Sequence, residues 1–290
     1  MLLKSKTAFI TGATGNLGRV LARHFLAAGA DLILQGRDRA ELENNVRKLS
    51  IIATSRQSIQ YFTADLADTD QLAEMKETFI LNYPLPDILI NNAAIQGPIG
   101  FSWDNDWTAW VDTIRVNLFA PVALCRMLIP AMSKRGSGTI INISGGGATG
   151  PRPYFTAYAC SKAALVRFSE TLAEELKGTG VRVNCIAPGA LKTKMTAAII
   201  HAGKTSAGEK EYYQALKLSE KDDEETINRA AELAVYLASS VSNGITGKLI
   251  SAVWDPWDKL NYHVAELTES DIYTLRRIVP GDRGKNWEKH

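Results

Sequence analysis

The chain is short of several things that would mark other function classes. It has three cysteines, Cys125, Cys160 and Cys185, widely spaced and without a CxxC pair. That suggests neither a disulfide framework nor a zinc site, and it suits a reducing cytoplasm. Its four histidines, His24, His201, His263 and His290, lack metal-ligand spacing, so no metal is expected. An excess of one charge is missing too. The net charge of +2 gives no electrostatic case for nucleic acid or for an anionic membrane. No run of about 18 apolar residues stands out, so no transmembrane helix is expected. The opening MLLKSKTAFITG lacks the apolar core and cleavage site of a signal peptide. Repeats and low-complexity tracts are absent as well. What remains is 290 residues of ordinary globular composition, enough for one large α/β domain.

Glycine is plentiful, and its first cluster is informative. Thr7–Ile10 is a short β-type run. The turn Thr11-Gly12-Ala13-Thr14-Gly15-Asn16-Leu17-Gly18 follows, and then a helical pattern over 19–28 carries Val20, Leu21, Phe25 and Leu26 on one side. Strand, glycine-rich turn and helix together form the context of a dinucleotide fingerprint. Gly12 allows the tight turn, Gly15 lets backbone approach a pyrophosphate, and Gly18 lets helix pack on strand. The helix N-terminus offers free N–H groups and a positive dipole end. A second strand, 30–35, ends at Gly36-Arg37-Asp38. A carboxylate usually stands there to bond the ribose of NAD. Gly36 takes its place and Arg37 suits a 2′-phosphate, so NADP(H) is favoured over NAD(H). Asp38 and Glu41 have the spacing of a helix N-cap and its N3 partner.

Further strands are expected at Ile59–Thr63, 87–90, 139–143, 181–186 and 247–253, with helices between them. Asp65, with Leu66 beside it, ends the third strand and can bond an adenine amino group or cap the next helix. Asn91-Asn92-Ala93-Ala94 follows the fourth; small side chains there let a cofactor lie on backbone. A long helix over 112–132 contains Asn117 and an early kink at Pro121. Trp103, Trp107 and Trp110 form a stripe that reads as core or subunit contact. Residues 194–225 read as a mobile substrate loop with short helices. Within TAYACSKAA, Tyr158 and Lys162 fall on one helix face. An ammonium beside a phenol favours phenolate and pulls its pKa from about 10 toward neutrality.

Taken in order, TGATGNLG, Asp65, NNAA, Asn117, the Ser144 loop, YACSK and PGALKT at Pro188–Thr193 resemble the short-chain dehydrogenase/reductase family in its compact form. The resemblance covers about residues 6–247. It implies a Rossmann-like, doubly wound sheet of about seven parallel strands. It also implies hydride transfer between a carbonyl and a secondary alcohol of a small-molecule substrate. Tyr158 would be proton donor and acceptor. Lys162 would tune it and bond the nicotinamide ribose, Asn117 would hold a water, and Pro188, Gly189 and Thr193 would fix the carboxamide. Gly12, Thr14, Asn16, Leu17, Gly18, Arg37, Asp65, Leu66, Asn92 and Ala93 complete the expected cofactor contacts. A homodimer or homotetramer is expected through the helices bearing Asn117 and Tyr158.

Two departures matter. The glycine spacing, TGxxGxxG, is that of the family's sugar-nucleotide branch, so an epimerase or dehydratase is an alternative. The family's serine belongs 13 residues before the tyrosine, where Gly145 stands. Ser144 is one residue early and would point away unless the following glycines twist it inward; Tyr154 and Thr156 are nearby substitutes. A non-catalytic NADP(H) sensor is a further alternative, and a structural oligomerisation protein another. The catalytic domain is expected over 1–253. The extension 254–290 is expected to pack over the substrate side of its own or a neighbouring subunit.

Overall fold

The computed structural model describes residues 1–287, side chains at 76, 78 and 80 aside. Seven parallel strands form one sheet in the order β3-β2-β1-β4-β5-β6-β7. They are β1 Thr7–Ile10, β2 Asp31–Gly36, β3 Ile59–Thr63, β4 Ile88–Asn91, β5 Gly138–Ile143, β6 Val181–Ala187 and β7 Leu249–Ser251. The order reverses direction at β1 and β4, which places the ligand crevice beyond their carboxyl ends. Strands buried on both sides read as continuous apolar runs. In β4, Ile88 and Ile90 face one core and Leu89 the other. The first core is closed by α1 Asn16–Ala27, α2 Arg39–Ile52 and α9 Glu224–Ala238, the second by α3 Thr69–Asn82, α5 Ala120–Arg135 and α6 Thr156–Glu175.

Several local expectations hold, and others need correction. Asp38 caps α2, accepting the Glu41 N–H, while the Glu41 carboxylate pairs with Arg19 and Lys194 instead of closing the box. Asp68, not Asp65, caps α3; the Asp65 carboxylate accepts the Ala67 N–H in a tight turn. α1 starts at Asn16, earlier than the apolar period suggests, because Gly15 serves as its N-cap. The long helix widens where Pro121 lacks the N–H that the Asn117 carbonyl would accept. It becomes α4 Trp107–Ile114, a π-turn Arg115–Phe119 and α5. This path, Trp107–Arg135, is long and apolar enough by composition to cross a membrane, contrary to the expectation that no such run exists. Its Leu124, Cys125, Leu128 and Met132 are buried in the second core.

Residues 194–220 form a helix pair, α7 Lys194–Ala207 and α8 Glu209–Glu220, joined at Gly208. The tail carries a short helix, α10 Val264–Glu269. Its contacts fall along β7, α9 and the second half of α6. The Tyr273 carbonyl accepts the Leu249 N–H, Lys248 donates to the Ser270 carbonyl, and Glu170 accepts the Leu275 N–H. Trp257 packs on Tyr236 of α9. The Glu170 anchor on α6 lies roughly 18 Å along the helix from Tyr158, so these contacts run along the sheet's end strand. Leu275 packs against a small buried cluster of Ala148, Val166 and Cys185.

Candidate active site

The turn after β1 is built for close approach. Gly12 has φ +62, and a Cβ there would lie 2.8 Å from the Ala93 Cα; a Cβ on Gly18 would lie 2.2 Å from the Gly12 carbonyl oxygen. Only glycine fits either place. Polar side chains pin the turn from outside. Gln35 accepts the Gly12 N–H and donates to the Ala64 carbonyl, Asn45 donates to the Ala13 carbonyl, and Asn92 donates to the carbonyls of Thr11 and Gly12. The Thr11 hydroxyl accepts the N–H groups of Asn92 and Ala93. Gln35 and Asn45 were not singled out in the sequence. A buried amide ending an apolar strand is the signal that would have found Gln35.

At the mouth of this turn, α1 has no side-chain cap and no acid in its first turn, which leaves its first N–H groups open to an anion. Asn16 donates to the Lys192 carbonyl at 2.8 Å, which ties the turn to the loop after β6. Gly36 leaves no carboxylate at the end of β2; its Cβ position is crowded by Thr14 and Leu42. Arg37 is exposed there, without an ion pair among the described residues. Asp65 is half-buried at the end of β3, with Leu66 buried beside it. Beyond β6, Pro188 is buried and Gly189, at φ +89, abuts Val253. Thr193 caps α7, its hydroxyl accepting the Met195 N–H.

Tyr158 and Lys162 lie on the inner face of α6, both buried. The Lys162 ammonium donates to the Ile143 carbonyl at 2.8 Å and stands 5.6 Å from the Tyr158 ring centre. Burial lowers the Lys162 pKa to about 8. Burial also pushes the Tyr158 phenol above its ordinary value, opposed by Arg152. The expected pull toward neutrality by Lys162 is therefore not seen: the ammonium is turned to the β5 carbonyl, and desolvation dominates. Asn117, in the π-turn, exchanges hydrogen bonds with the Ile95 backbone and donates to the Ser161 hydroxyl. Such wide turns inside helices are frequent at functional sites.

Position 145 is the one that faces the phenol. A Cβ on Gly145 would lie 2.4 Å from the Tyr158 hydroxyl. Ser144 does not turn toward it. The Ser144 N–H continues the β6 ladder to the Ile186 carbonyl, and its hydroxyl is buried without a partner among the described residues. The glycines after it leave the strand alternation intact up to that point. Thr156 accepts the Trp110 indole N–H, and Tyr154 packs against Phe101 and Gly208. Trp103 and Trp107 are 76% and 70% exposed, so the stripe is not core. Sequence reading missed Arg152, whose guanidinium lies 4.2 Å from the Phe155 ring centre and 5.5 Å from that of Tyr158.

The short chain dehydrogenase family matches residues 6–203, well over half of the chain. The chain belongs to that family. Among relatives of this short-chain dehydrogenase is human dehydrogenase/reductase SDR family member 4, 29% identical over 248 residues, or 86% of each chain. The 3-oxoacyl acyl-carrier-protein reductase of Chlamydia trachomatis is 31% identical over 250 residues, 86% of this chain and 96% of its own. A Beutenbergia cavernae protein assigned as an NAD(P)-dependent gluconate 5-dehydrogenase matches with a TM-score of 0.74 and 28% identity. That match covers 86% of this chain and 96% of the neighbour, which holds NADP at low occupancy. The short-chain dehydrogenase here is thus an NAD(P)-binding oxidoreductase by family, with its glycine turn, Tyr158 and Lys162 gathered at the carboxyl end of one sheet.

Proposed function

We propose that this short-chain dehydrogenase interconverts a carbonyl and a secondary alcohol, with NADP(H) preferred and Tyr158 as proton donor and acceptor. One observation carries the reading. The Tyr158 hydroxyl stands against Gly145 with no hydrogen-bond partner among the described residues, beside a buried ammonium. A protonated phenol at this place is the group that can pass a proton to a reacting carbonyl oxygen. The bound nicotinamide supplies the hydride.

The chain's own groups divide the remaining work. Gly12, Thr14, Asn16, Leu17 and Gly18 would hold the pyrophosphate, where added Cβ atoms would fill the cradle. Arg37 would meet a 2′-phosphate, as no carboxylate occupies the end of β2. Asp65 and Leu66 would meet the adenine, and Asn92 and Ala93 the backbone side of the dinucleotide. Lys162 would bond the nicotinamide ribose, Asn117 a water, and Pro188, Gly189 and Thr193 the carboxamide. Ser144 is set aside as the carbonyl-orienting group because its hydroxyl is enclosed, so Tyr158 orients the carbonyl in its stead. NADP bound to the Beutenbergia neighbour supports the cofactor choice. We also infer a cytoplasmic homodimer or homotetramer, consistent with the exposed Phe119 and Trp107 on the α4–α5 path; light scattering in solution tests it.

The test is NADPH turnover over a panel of ketones and aldehydes, with NADPH affinity measured alongside. Oxidation of NADPH with a carbonyl substrate supports the reading. Tight binding with no turnover across the panel points to a sensor, and an isomerised sugar nucleotide without net oxidation points to an epimerase.

A further inference from the structure

Beside Tyr158 stands a cation that the carbonyl chemistry does not require. Gly145 and Gly146 are adjacent. The Tyr158 hydroxyl crowds the Cβ position of the first, and the Arg152 guanidinium lies against that of the second, 3.8–3.9 Å away. The guanidinium also lies over the Phe155 and Tyr158 rings, so stacking sets its plane. Its Nε and Nη2 donate to one carboxylate oxygen of Glu211, at 3.1 and 2.7 Å. Both side chains are mostly buried, at 16% and 21% exposure. Glu211 comes from α8, within the segment whose sequence reads as the substrate loop. Arg152 Nη1 has no partner among the described residues.

An arginine offers five N–H groups in a rigid fork, and a side-on carboxylate leaves the end-on edge free. The guanidinium carbon lies 5.5 Å from the ring centre of Tyr158, which carries the group that would protonate the substrate. We propose that Arg152 selects an anionic substrate, one whose carboxylate sits a few bonds from the carbonyl that meets Tyr158, and that it binds this carboxylate through the open Nη1–Nη2 edge. The proposal rests on the reading of Tyr158 given above. Glu211 holds the fork in plane but also puts a negative charge beside the incoming anion. Removing that charge while keeping an acceptor strengthens substrate binding, whereas removing the guanidinium weakens it. A purely structural Arg152–Glu211 latch makes a different demand: both changes would loosen the same contact and move all ligands the same way.

Calorimetry on the NADP⁺-loaded protein tests this without turnover, since a ketone and the oxidised cofactor cannot react. The probes are acetoacetate, levulinate and 5-oxohexanoate, each against its methyl ester. At least one acid is expected to bind tenfold or more tighter than its ester. Arg152→Gln should erase that preference and leave ester affinity within about twofold, and Glu211→Gln should widen it severalfold. Equal affinity of acids and esters, no binding of any acid, or parallel losses for acid and ester in both variants would overturn the proposal. NADP⁺ titration is the separate arm. Intact cofactor binding with no acid preference sinks only the Arg152 role, whereas loss of cofactor binding in the unaltered protein sinks the carbonyl reductase reading itself.

Discussion

The two ends of the crevice are held by different kinds of contact. At the end beside β1 to β4, side-chain amides and a hydroxyl bond main-chain groups: Gln35 to Gly12 and Ala64, Asn45 to Ala13, Asn92 to Thr11 and Gly12. Glycines keep the backbone bare there, as the surface that a dinucleotide would meet in the proposed function. At the end beside β5 to β7, side chains meet side chains from distant segments: Arg152 with Glu211, Trp110 with Thr156, Phe101 with Tyr154. A backbone surface recognises what every NAD(P) molecule shares. A surface of long side chains recognises what one substrate has and another lacks. The first tolerates little change of residue type, while the second is re-tuned by single substitutions.

Four measurements would break or sharpen this contrast. The largest effect is expected from Tyr158→Phe, which removes the proton but not the ring. Carbonyl reduction should fall by about 10²–10⁴, with NADPH affinity nearly unchanged; retained turnover would put the proton elsewhere. Next, Gly18→Ala forces a Cβ against the Gly12 carbonyl and should destabilise by about 1–3 kcal/mol with weakened NADPH binding. Gly150→Ala, where nothing lies within 4 Å, should be close to neutral on both counts. Thermal melts with and without NADPH would show whether the backbone cradle is as intolerant as claimed.

Third, Arg37→Asp should raise the NADPH Michaelis constant by about 10–100-fold, the worth of a charge-assisted bond, and leave that for NADH much less changed. Equal effects on both would remove the 2′-phosphate role. The smallest effect concerns pH. Burial lowers Lys162 from 10.5 to about 8 in the folded chain. The unfolded chain therefore holds more protons above pH 8, and stability rises with pH there. The buried Cys125 and Cys185 thiols are raised to about 12 from 9.0, which acts the opposite way from about pH 8 upward. Between pH 8 and 9 the Lys162 contribution in the cofactor-free protein should rise by about 1 kcal/mol, and the two thiols offset more than half of it. Lys162→Met should flatten that slope in denaturant titrations, and an unchanged slope would assign it to another group.

Much of the fold was legible because both cores write themselves into local pattern. β3 falls at Ile59–Thr63 as read, and the glycine turn, the Asp38 cap and the widened turn before Pro121 are where their chemistry requires. What stayed hidden depends on where a side chain ends up in three dimensions. Asp65 is the cap that the sequence offers, and the turn geometry gives that role to Asp68. The spacing of Tyr158 and Lys162 promises an ion–phenol pair, yet the ammonium finds the Ile143 carbonyl first. Ser144 looks adjacent to the task, but the strand's ladder holds its hydroxyl inside. Arg152 belongs to no motif. Its meaning comes from Glu211, far along the chain, and from the two rings beneath it.

The tail bears on how the molecule behaves among its own copies. A parallel sheet has two ends, and an end strand with unanswered N–H groups is a template onto which another chain can add. Along β7 that template is occupied: Leu249 is answered by Tyr273, and the neighbouring Lys248 side chain reaches Ser270. Cut away, the tail would leave its former partner strand open to intermolecular pairing while the glycine cradle and Tyr158 stood unaltered. The tail thus shields part of the sheet's edge, where another copy of the chain could otherwise add.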